Sequence, residues 1–282
     1  MKKAVLLAGE KSGDLIGAEI CTCLTNDGFE IFGIGGEDML KNGLKESFFS
    51  ISEISIMGFV EVLPRIFKIQ KRINETVKNI LKINPSFVLT IDSPGFNTRV
   101  VKKLKKHYKG KIYHAVAPTV WAYKEGRAKK FAKLYNELFC ILPFEPPYFE
   151  KVGLKAKFIS YPPLNRLKSE IEDSKNYKKE YIIFTLGSRK NEVLHHLDFA
   201  KNVIKIIKLK LPDAKFVFPT FSEFEYIVKE SFPNDIVISG NEEKILYLKK
   251  AKFAISKSGT GAIETSFFEV PSVIFYIFFN IF

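Results

Sequence analysis

The cluster Ile91-Asp92-Ser93-Pro94-Gly95-Phe96-Asn97 sets one carboxylate where an open α/β sheet holds its ligands. The run before it, Phe87-Val88-Leu89-Thr90-Ile91, is apolar and β-branched on both faces, as a central parallel strand should be. Pro94 and Gly95 break that strand, so Asp92 falls at its carboxyl edge. An ionised Asp there needs a partner or a task at a bound ligand. The competing reading makes it the N-cap of a helix that starts near Thr98.

Three further segments lie where a strand gives way to a helix. Ala8-Gly9-Glu10-Lys11-Ser12-Gly13-Asp14 offers glycine for close backbone approach and a helix N-terminus with N–H donors. It is neither a Walker loop nor a dinucleotide fingerprint, and the alternative is a helix start capped by Ser12 or Asp14. In Thr185-Leu186-Gly187-Ser188-Arg189, the arginine could fork onto a diphosphate while Gly187 and Ser188 supply backbone and hydroxyl donors. The alternative is a surface arginine beside a tight turn. Ser256-Lys257-Ser258-Gly259-Thr260-Gly261-Ala262-Ile263-Glu264 suits phosphate or ribose recognition, with Glu264 one turn into the helix as a possible acceptor for sugar hydroxyls or a solvated helix residue.

The segment from Met57 through Phe59, Val60, Val62, Leu63, Ile66 and Phe67 combines a large apolar load with Arg65, Lys68, Lys71 and Arg72. It reads either as a basic amphipathic helix for a membrane surface or as an ordinary core-facing one. His114, His195 and His196 lack metal-ligand or triad partners in the sequence, and His107 sits in a lysine-rich helix. No metal and no cofactor are expected.

The elements that must position these residues alternate short apolar runs with longer amphipathic ones, which predicts parallel α/β units. Strands are expected near 3–8, 30–34, 86–91, 111–115, 138–142 and 156–159, and helices near 13–25, 60–83, 97–107, 125–134 and 145–151. A Pro-, Lys- and Ser-rich stretch around 163–180 reads as a linker between a first domain, 1–162, and a second, 181–282. The second half repeats the theme, with strands near 181–186, 215–219, 235–238, 252–256 and 272–277 and helices near 191–211, 222–231, 242–250 and 260–268. Two doubly wound domains facing each other would hold a ligand in the cleft between their strand ends.

A chain of 282 residues is long enough for about two such domains. The cysteines, Cys21, Cys23 and Cys140, form neither a disulfide framework nor a metal-ligand spacing, which suits a reducing compartment. The apolar run after Met1-Lys2-Lys3 is too short for a signal peptide. The net charge of +13 would suit anionic membrane, nucleic acid or phosphorylated substrates. No arginine-rich arm or aromatic RNA-binding signature accompanies it, so nucleic acid is not an expected partner. The final stretch, 273–282, is apolar, too short to span a bilayer, and without a following element to cover it. It points to a chain shortened from something longer.

Taken in order, these motifs resemble the lipid-A-disaccharide synthase family: Gly9-Glu10-x-Ser12-Gly13-Asp14, Gly33-Ile34-Gly35-Gly36, Met57-Gly58-x-Val60-Glu61-Val62-Leu63, Asp92-x-Pro94-Gly95-Phe96-Asn97, Pro118-x-Val120-Trp121-Ala122, Leu142-Pro143-Phe144-Glu145, Gly187-Ser188-Arg189 and Ser258-Gly259-Thr260. The resemblance implies a GT-B-type fold and an inverting transfer that joins UDP-2,3-diacylglucosamine to 2,3-diacylglucosamine 1-phosphate, giving the β-1,6 disaccharide and UDP. It implies Asp92 as general base, Arg189 on the UDP diphosphate, Glu264 at ribose or uracil, and Gly9, Glu10, Ser12, Gly13, Asn97 and Trp121 on the acceptor side. Arg127 and Lys130 are candidates for the acceptor phosphate. It further implies a cytoplasmic enzyme, peripheral on the anionic inner membrane of a Gram-negative bacterium, its apolar patch at Met57–Phe67, and a homodimer if a longer C-terminal region were present. The chain departs from the family at Ser160-Tyr161-Pro162, where Gly-His-Pro is usual, at Leu186 for proline, and at Gly261 for alanine. Alternatives are a nucleotide-sugar 2-epimerase of the same architecture and a shortened, non-catalytic relative.

Overall fold

The computed structural model describes residues 2–54 and 62–277. The chain divides into two compact units, Met1–Pro163 and Leu164–Phe282. In the first, β1 (Lys2–Ala8), α1 (Lys11–Asn26), β2 (Phe29–Ile34), α2 (Glu37–Lys41), β3 (Leu44–Ser47), α3 (Val62–Ile83), β4 (Phe87–Ile91), α4 (Pro94–Leu104), β5 (Lys111–Ala115), α5 (Arg127–Leu134), β6 (Glu137–Cys140), α6 (Pro146–Glu150) and β7 (Lys155–Phe158) follow one another. Seven strands pair in the order β3-β2-β1-β4-β5-β6-β7, every pair parallel. The order reverses between β1 and β4, the point at which open α/β sheets bind ligands beyond their carboxyl ends.

The centre of that sheet is apolar for a physical reason. Val5, Leu7, Val88, Ile112 and Leu138 are buried in one cluster with Val100, Val101 and Leu104 of α4 and with Ile73 and Ile80 of α3. Both faces of each inner strand are covered, so alternating polarity would bury polar groups without partners.

The second unit runs α7 (Lys168–Asp173), β8 (Tyr181–Thr185), α8 (Lys190–Lys210), β9 (Lys215–Pro219), α9 (Ser222–Ser231), β10 (Ile236–Ile238), α10 (Asn241–Lys249), β11 (Ala251–Lys257), α11 (Thr260–Phe267) and β12 (Ser272–Phe275). Five parallel strands are ordered β10-β9-β8-β11-β12. Phenylalanines carry much of this core. Phe184 stacks on Phe218 at 5.7 Å between centroids, and Phe218 on Phe232 at 4.1 Å. Residues 162–176, in the expected linker, form short helical turns. Lys249 of α10 anchors α7 by pairing with Glu170 and, at 2.7 Å, with Asp173. Hydrogen bonds to these carboxylates hold the Lys249 ammonium above its ordinary pKa.

Two cap assignments need correcting. Helix α1 starts at Lys11 with Glu10 in the N-cap position and no side-chain cap hydrogen bond, so neither Ser12 nor Asp14 caps it. Helix α4 starts at Pro94, earlier than Thr98, with Ser93 as its N-cap residue; proline at the first position needs no N–H partner.

Candidate functional site

The carboxyl edge of the first sheet is built around Asp92. Ala8 of β1 lies opposite Ile91 of β4, which brings the loops after these strands together. Asp92 and Ser93 both take left-handed backbone angles, φ +49° and +44°, making the sharp turn into α4. The Asp92 N–H donates to the Ala115 carbonyl of β5 at 3.0 Å. Its Oδ1 accepts the Ser93 N–H at 2.7 Å, and Ser12 Oγ stands 3.5 Å from Oδ2, the outer limit of a hydrogen bond. The half-buried carboxylate is thereby oriented at the sheet edge by the next residue's backbone and by α1.

Gly9 makes the close approach possible. A Cβ there would stand 2.3 Å from Ser93 Oγ and 2.4 Å from its Cβ. Gly13 is buried behind it, while Glu10 is half-buried at the loop. Asn97 is fully buried, and its amide donates to the carbonyls of Asp92 at 2.8 Å, Ile91 at 3.3 Å and Leu7 at 3.4 Å. It ties the ends of β1 and β4 to α4, so its side chain lies beneath the turn. Beyond β5, Val116 is also left-handed, φ +73°, an uncommon state for a β-branched residue, and its N–H donates to Phe139 O at 2.9 Å.

Trp121 is exposed in the loop after β5 and meets Phe144 edge-to-face at 5.4 Å. Glu145, nearly fully buried, accepts the Leu142 N–H at 3.1 Å. Burial raises its carboxyl pKa against opposing bonds from Leu142, Trp121 and Ile141. The motifs around Trp121 and Glu145 are thus joined in space.

Two features of this edge escape a reading of spacing. Asp14, buried, accepts from Gly36 N–H at 2.7 Å, Asp38 N–H at 3.1 Å and Met39 N–H at 3.2 Å, capping α2 from another helix. Asp14 and Gly36 both belong to glycine-bearing motifs, but nothing in either motif pairs it with the other. His114, fully buried, bonds Thr90 Oγ1 through Nδ1 at 2.6 Å and stacks near Tyr135 at 4.9 Å. Burial drops its pKa to about 3, so it is a neutral core histidine.

The second unit gathers its candidates at the ends of β8 and β11. Gly187 adopts φ +106°, and a Cβ there would stand 2.7 Å from Glu192 Oε2. Ser188 is exposed; its N–H points at Glu192 Oε2, 3.4 Å away. Arg189 Nη1 and Lys257 Nζ both reach Glu192 Oε1, at 3.0 and 3.1 Å. Burial raises the Glu192 pKa, but Lys257 and then Arg189 outweigh it and hold the carboxylate below its ordinary value. Leu186, where proline is usual, is buried, and its carbonyl accepts from His196 Nδ1 at 2.6 Å.

Ser258 and Gly259 are exposed at the start of α11, and Thr260 opens that helix. Gly259 has φ +147° with open space around it, so backbone conformation rather than crowding selects glycine there. A Cβ at Gly261 would stand 3.3 Å from Thr185 Oγ1 and Cγ2, a tight contact with that side chain. Glu264 pairs with Lys244 of α10 at 2.8 Å. Among the described residues, no His, Cys, Asp and Glu cluster could hold a metal ion.

Of the apolar patch, Met57, Phe59 and Val60 lie outside the described residues, and Val62, Leu63 and Ile66 fall in the first turns of α3. Phe67 is 76% exposed. Lys68 and Arg72 both pair with Glu53, at 3.2 and 2.7 Å, so two of the cations beside the patch already have a counter-ion. No helix among the described residues is long and apolar enough to cross a membrane.

The synthase of Rickettsia bellii (strain OSU 85-389), a lipid-A-disaccharide synthase, is 40% identical over 98% of this chain and 75% of its own length. Fold likeness reaches further. An S. aureus MnaA–UDP co-structure aligns over 97% of this chain and 79% of its own, with 13% identity and a TM-score of 0.72. A Methanocaldococcus jannaschii UDP-GlcNAc 2-epimerase in complex with UDP-GlcNAc and UDP aligns over 97% and 83%, with 15% identity and a TM-score of 0.65. These likenesses and the two parallel sheets give the GT-B-type architecture. The lipid-A-disaccharide synthetase family matches residues 4–281, and with the Rickettsia relative it shows that the chain belongs to that family.

Proposed function

We propose that the protein joins UDP-2,3-diacylglucosamine to 2,3-diacylglucosamine 1-phosphate, releasing UDP and forming the β-1,6 disaccharide 1-phosphate. The observation that carries this reading is the Asp92 carboxylate, oriented at the switch point of the first sheet by Ser93 N–H and Ser12. In an inverting transfer the acceptor 6-hydroxyl attacks the donor anomeric carbon while the bond to the diphosphate breaks. Asp92 takes the hydroxyl proton as the new C–O bond forms. The departing diphosphate develops negative charge, which Arg189 and the N–H donors at Gly187-Ser188 and Ser258-Gly259-Thr260 are suited to receive. Glu264, beside Lys244, lies one turn beyond and serves the ribose or uracil. Trp121 and the Gly9–Gly13 loop face the acceptor.

The substrates carry acyl chains and phosphate, so the same reading places the enzyme at the cytoplasmic face of an anionic membrane. Exposed Phe67 and Lys71 on α3 support that placement.

The test is disaccharide formation from the two purified substrates, with a chelator present, by this chain and by Asp92→Ala. Proton transfer by a positioned base contributes about 10²- to 10⁴-fold, and a loss of that size is expected. Unchanged activity in the variant would remove Asp92 as base. UDP release without a disaccharide product would point to sugar-nucleotide chemistry of another kind.

A further inference from the structure

Glu145 is a buried carboxylate with no part in the proton transfer assigned to Asp92. It is 2% exposed and immediately precedes α6, the place from which a side chain ordinarily caps a helix. It makes no cap bond. Its side chain turns back into its own loop and accepts the Leu142 N–H at 3.1 Å. Burial raises its pKa, and bonds from the Leu142 N–H, the Trp121 indole and the Ile141 N–H oppose that rise. All three donors are neutral, a weaker offset to desolvation than a cation gives. An uncharged amide would serve the two loop N–H groups at less cost. The partner that sets Glu145 apart from a simple loop staple is Trp121.

Trp121 belongs to a different loop, the one leaving β5. That loop starts beside the Asp92 turn, because Ala115 lies opposite Ile91 and its carbonyl accepts the Asp92 N–H at 3.0 Å. Val120 is buried, whereas Trp121 is 43% exposed. Phe144, the exposed residue before Glu145, meets the indole edge-to-face at 5.4 Å. Two consecutive residues of the β6–α6 loop therefore hold the indole, Glu145 by its N–H and Phe144 by its ring. An indole whose N–H is engaged presents an apolar ring surface to whatever binds, which suits the C–H face of a sugar. Holding the ring in place beforehand lowers the side-chain entropy lost on binding.

Resting on the reading that Trp121 lies on the acceptor side, we propose that Glu145 is a positioning residue. With Phe144 it fixes the Trp121 indole as a platform for the C–H face of the acceptor sugar.

The test varies acceptor and donor separately in disaccharide synthesis and follows the fluorescence of Trp121, the chain's single tryptophan. Glu145→Ala should raise the acceptor KM about 10- to 100-fold and leave the donor KM within about two-fold. It should also enlarge the fast component of the Trp121 anisotropy decay. Glu145→Gln keeps the volume and one acceptor oxygen, and should stop at about 3- to 10-fold. Phe144→Ala, at an exposed side chain, should raise the acceptor KM about 2- to 10-fold with the same change in anisotropy. In a Trp121→Ala background none of these substitutions should raise that KM further. Equal penalties in both backgrounds overturn the proposal and leave Glu145 a loop staple. So does a more mobile Trp121 with an unchanged acceptor KM, or a donor KM that rises as much. If Glu145→Ala melts early, Glu145→Gln and its cycle with Trp121→Ala decide. Absence of disaccharide synthesis by the unaltered chain removes the parent reading and this one together, whereas the other negative results remove this one only.

Discussion

The Asp14 carboxylate of α1 and the Gly36 amide before α2 meet at 2.7 Å, and two loops distant in sequence become one joint. A Cβ on Gly36 would stand 2.5 Å from Asp14 Oδ2, so the contact also fixes the residue type. Asp14→Ala would strand the N–H groups of Gly36, Asp38 and Met39. A loss of about 2–4 kcal/mol is expected in urea unfolding of that variant, since each stranded buried donor costs roughly 1–3 kcal/mol and part regains water. A loss under 0.5 kcal/mol would mean that α2 holds without its borrowed cap.

Gly9 and Ser93 form a testable pair. Gly9→Ala places a methyl 2.3 Å from Ser93 Oγ and must push the Asp92 turn outward. Activity should fall about 10²-fold or more, because displacement of a catalytic group by about 1 Å is enough for that. Adding Ser93→Gly removes both colliding atoms and should restore much of the loss. Additive effects in the double-mutant cycle would refute direct contact.

Ser160 occupies a left-handed position, φ +65°, where glycine is usual in the family it resembles. A side chain there costs roughly 1–2 kcal/mol, and glycine returns part of that through its freer unfolded chain. Ser160→Gly is therefore expected to stabilise by about 0.5–1 kcal/mol, visible as a higher Tm; a lower Tm would show that the Ser160 hydroxyl has an offsetting role.

His114 makes stability depend on pH. Its folded pKa, about 3, lies below the unfolded value near 6.5. Between these values the unfolded chain binds the proton and the native chain does not, so stability is full above about pH 6.5 and is lost as pH falls toward 3. From pH 7 to 5 the contribution is about 2 kcal/mol. Urea midpoints at both pH values should show that drop, and His114→Gln should flatten it. An equally steep variant would assign the slope to other groups.

Phe67 offers a test of membrane contact. Sedimentation with vesicles rich in anionic lipid should retain the chain, and Phe67→Ser should reduce that retention several-fold. High salt should weaken it further. Equal retention by the variant would move the contact elsewhere.

Much of this architecture was legible because parallel strands covered on both faces must be apolar throughout, as Phe87–Ile91 is. The glycine motifs were legible as strand-to-helix turns. Helix α2 and strand β3 were not. Both are short and polar, and α2 takes its cap from Asp14 on another helix, which no local pattern encodes. The 163–180 segment has linker composition, yet Lys249 holds its helix through ion pairs formed across more than 70 residues. At the candidate sites, Asp92 and Arg189 stood out by position. Glu192 did not, because a glutamate in a first helical turn is unremarkable until two cations converge on it.

Asp92, Ser93 and Val116 hold left-handed backbones at the ends of neighbouring strands, and of the three only Asp92 belongs to a residue type with some tolerance for it. Such positions are where laboratory selection for heat resistance would first find gains, by admitting glycine. At Val116 the gain would loosen the strand end whose neighbouring carbonyl, Ala115 O, receives the Asp92 N–H. Robustness and turnover would then move in opposite directions, so the most thermostable descendants of this chain should be its slower ones.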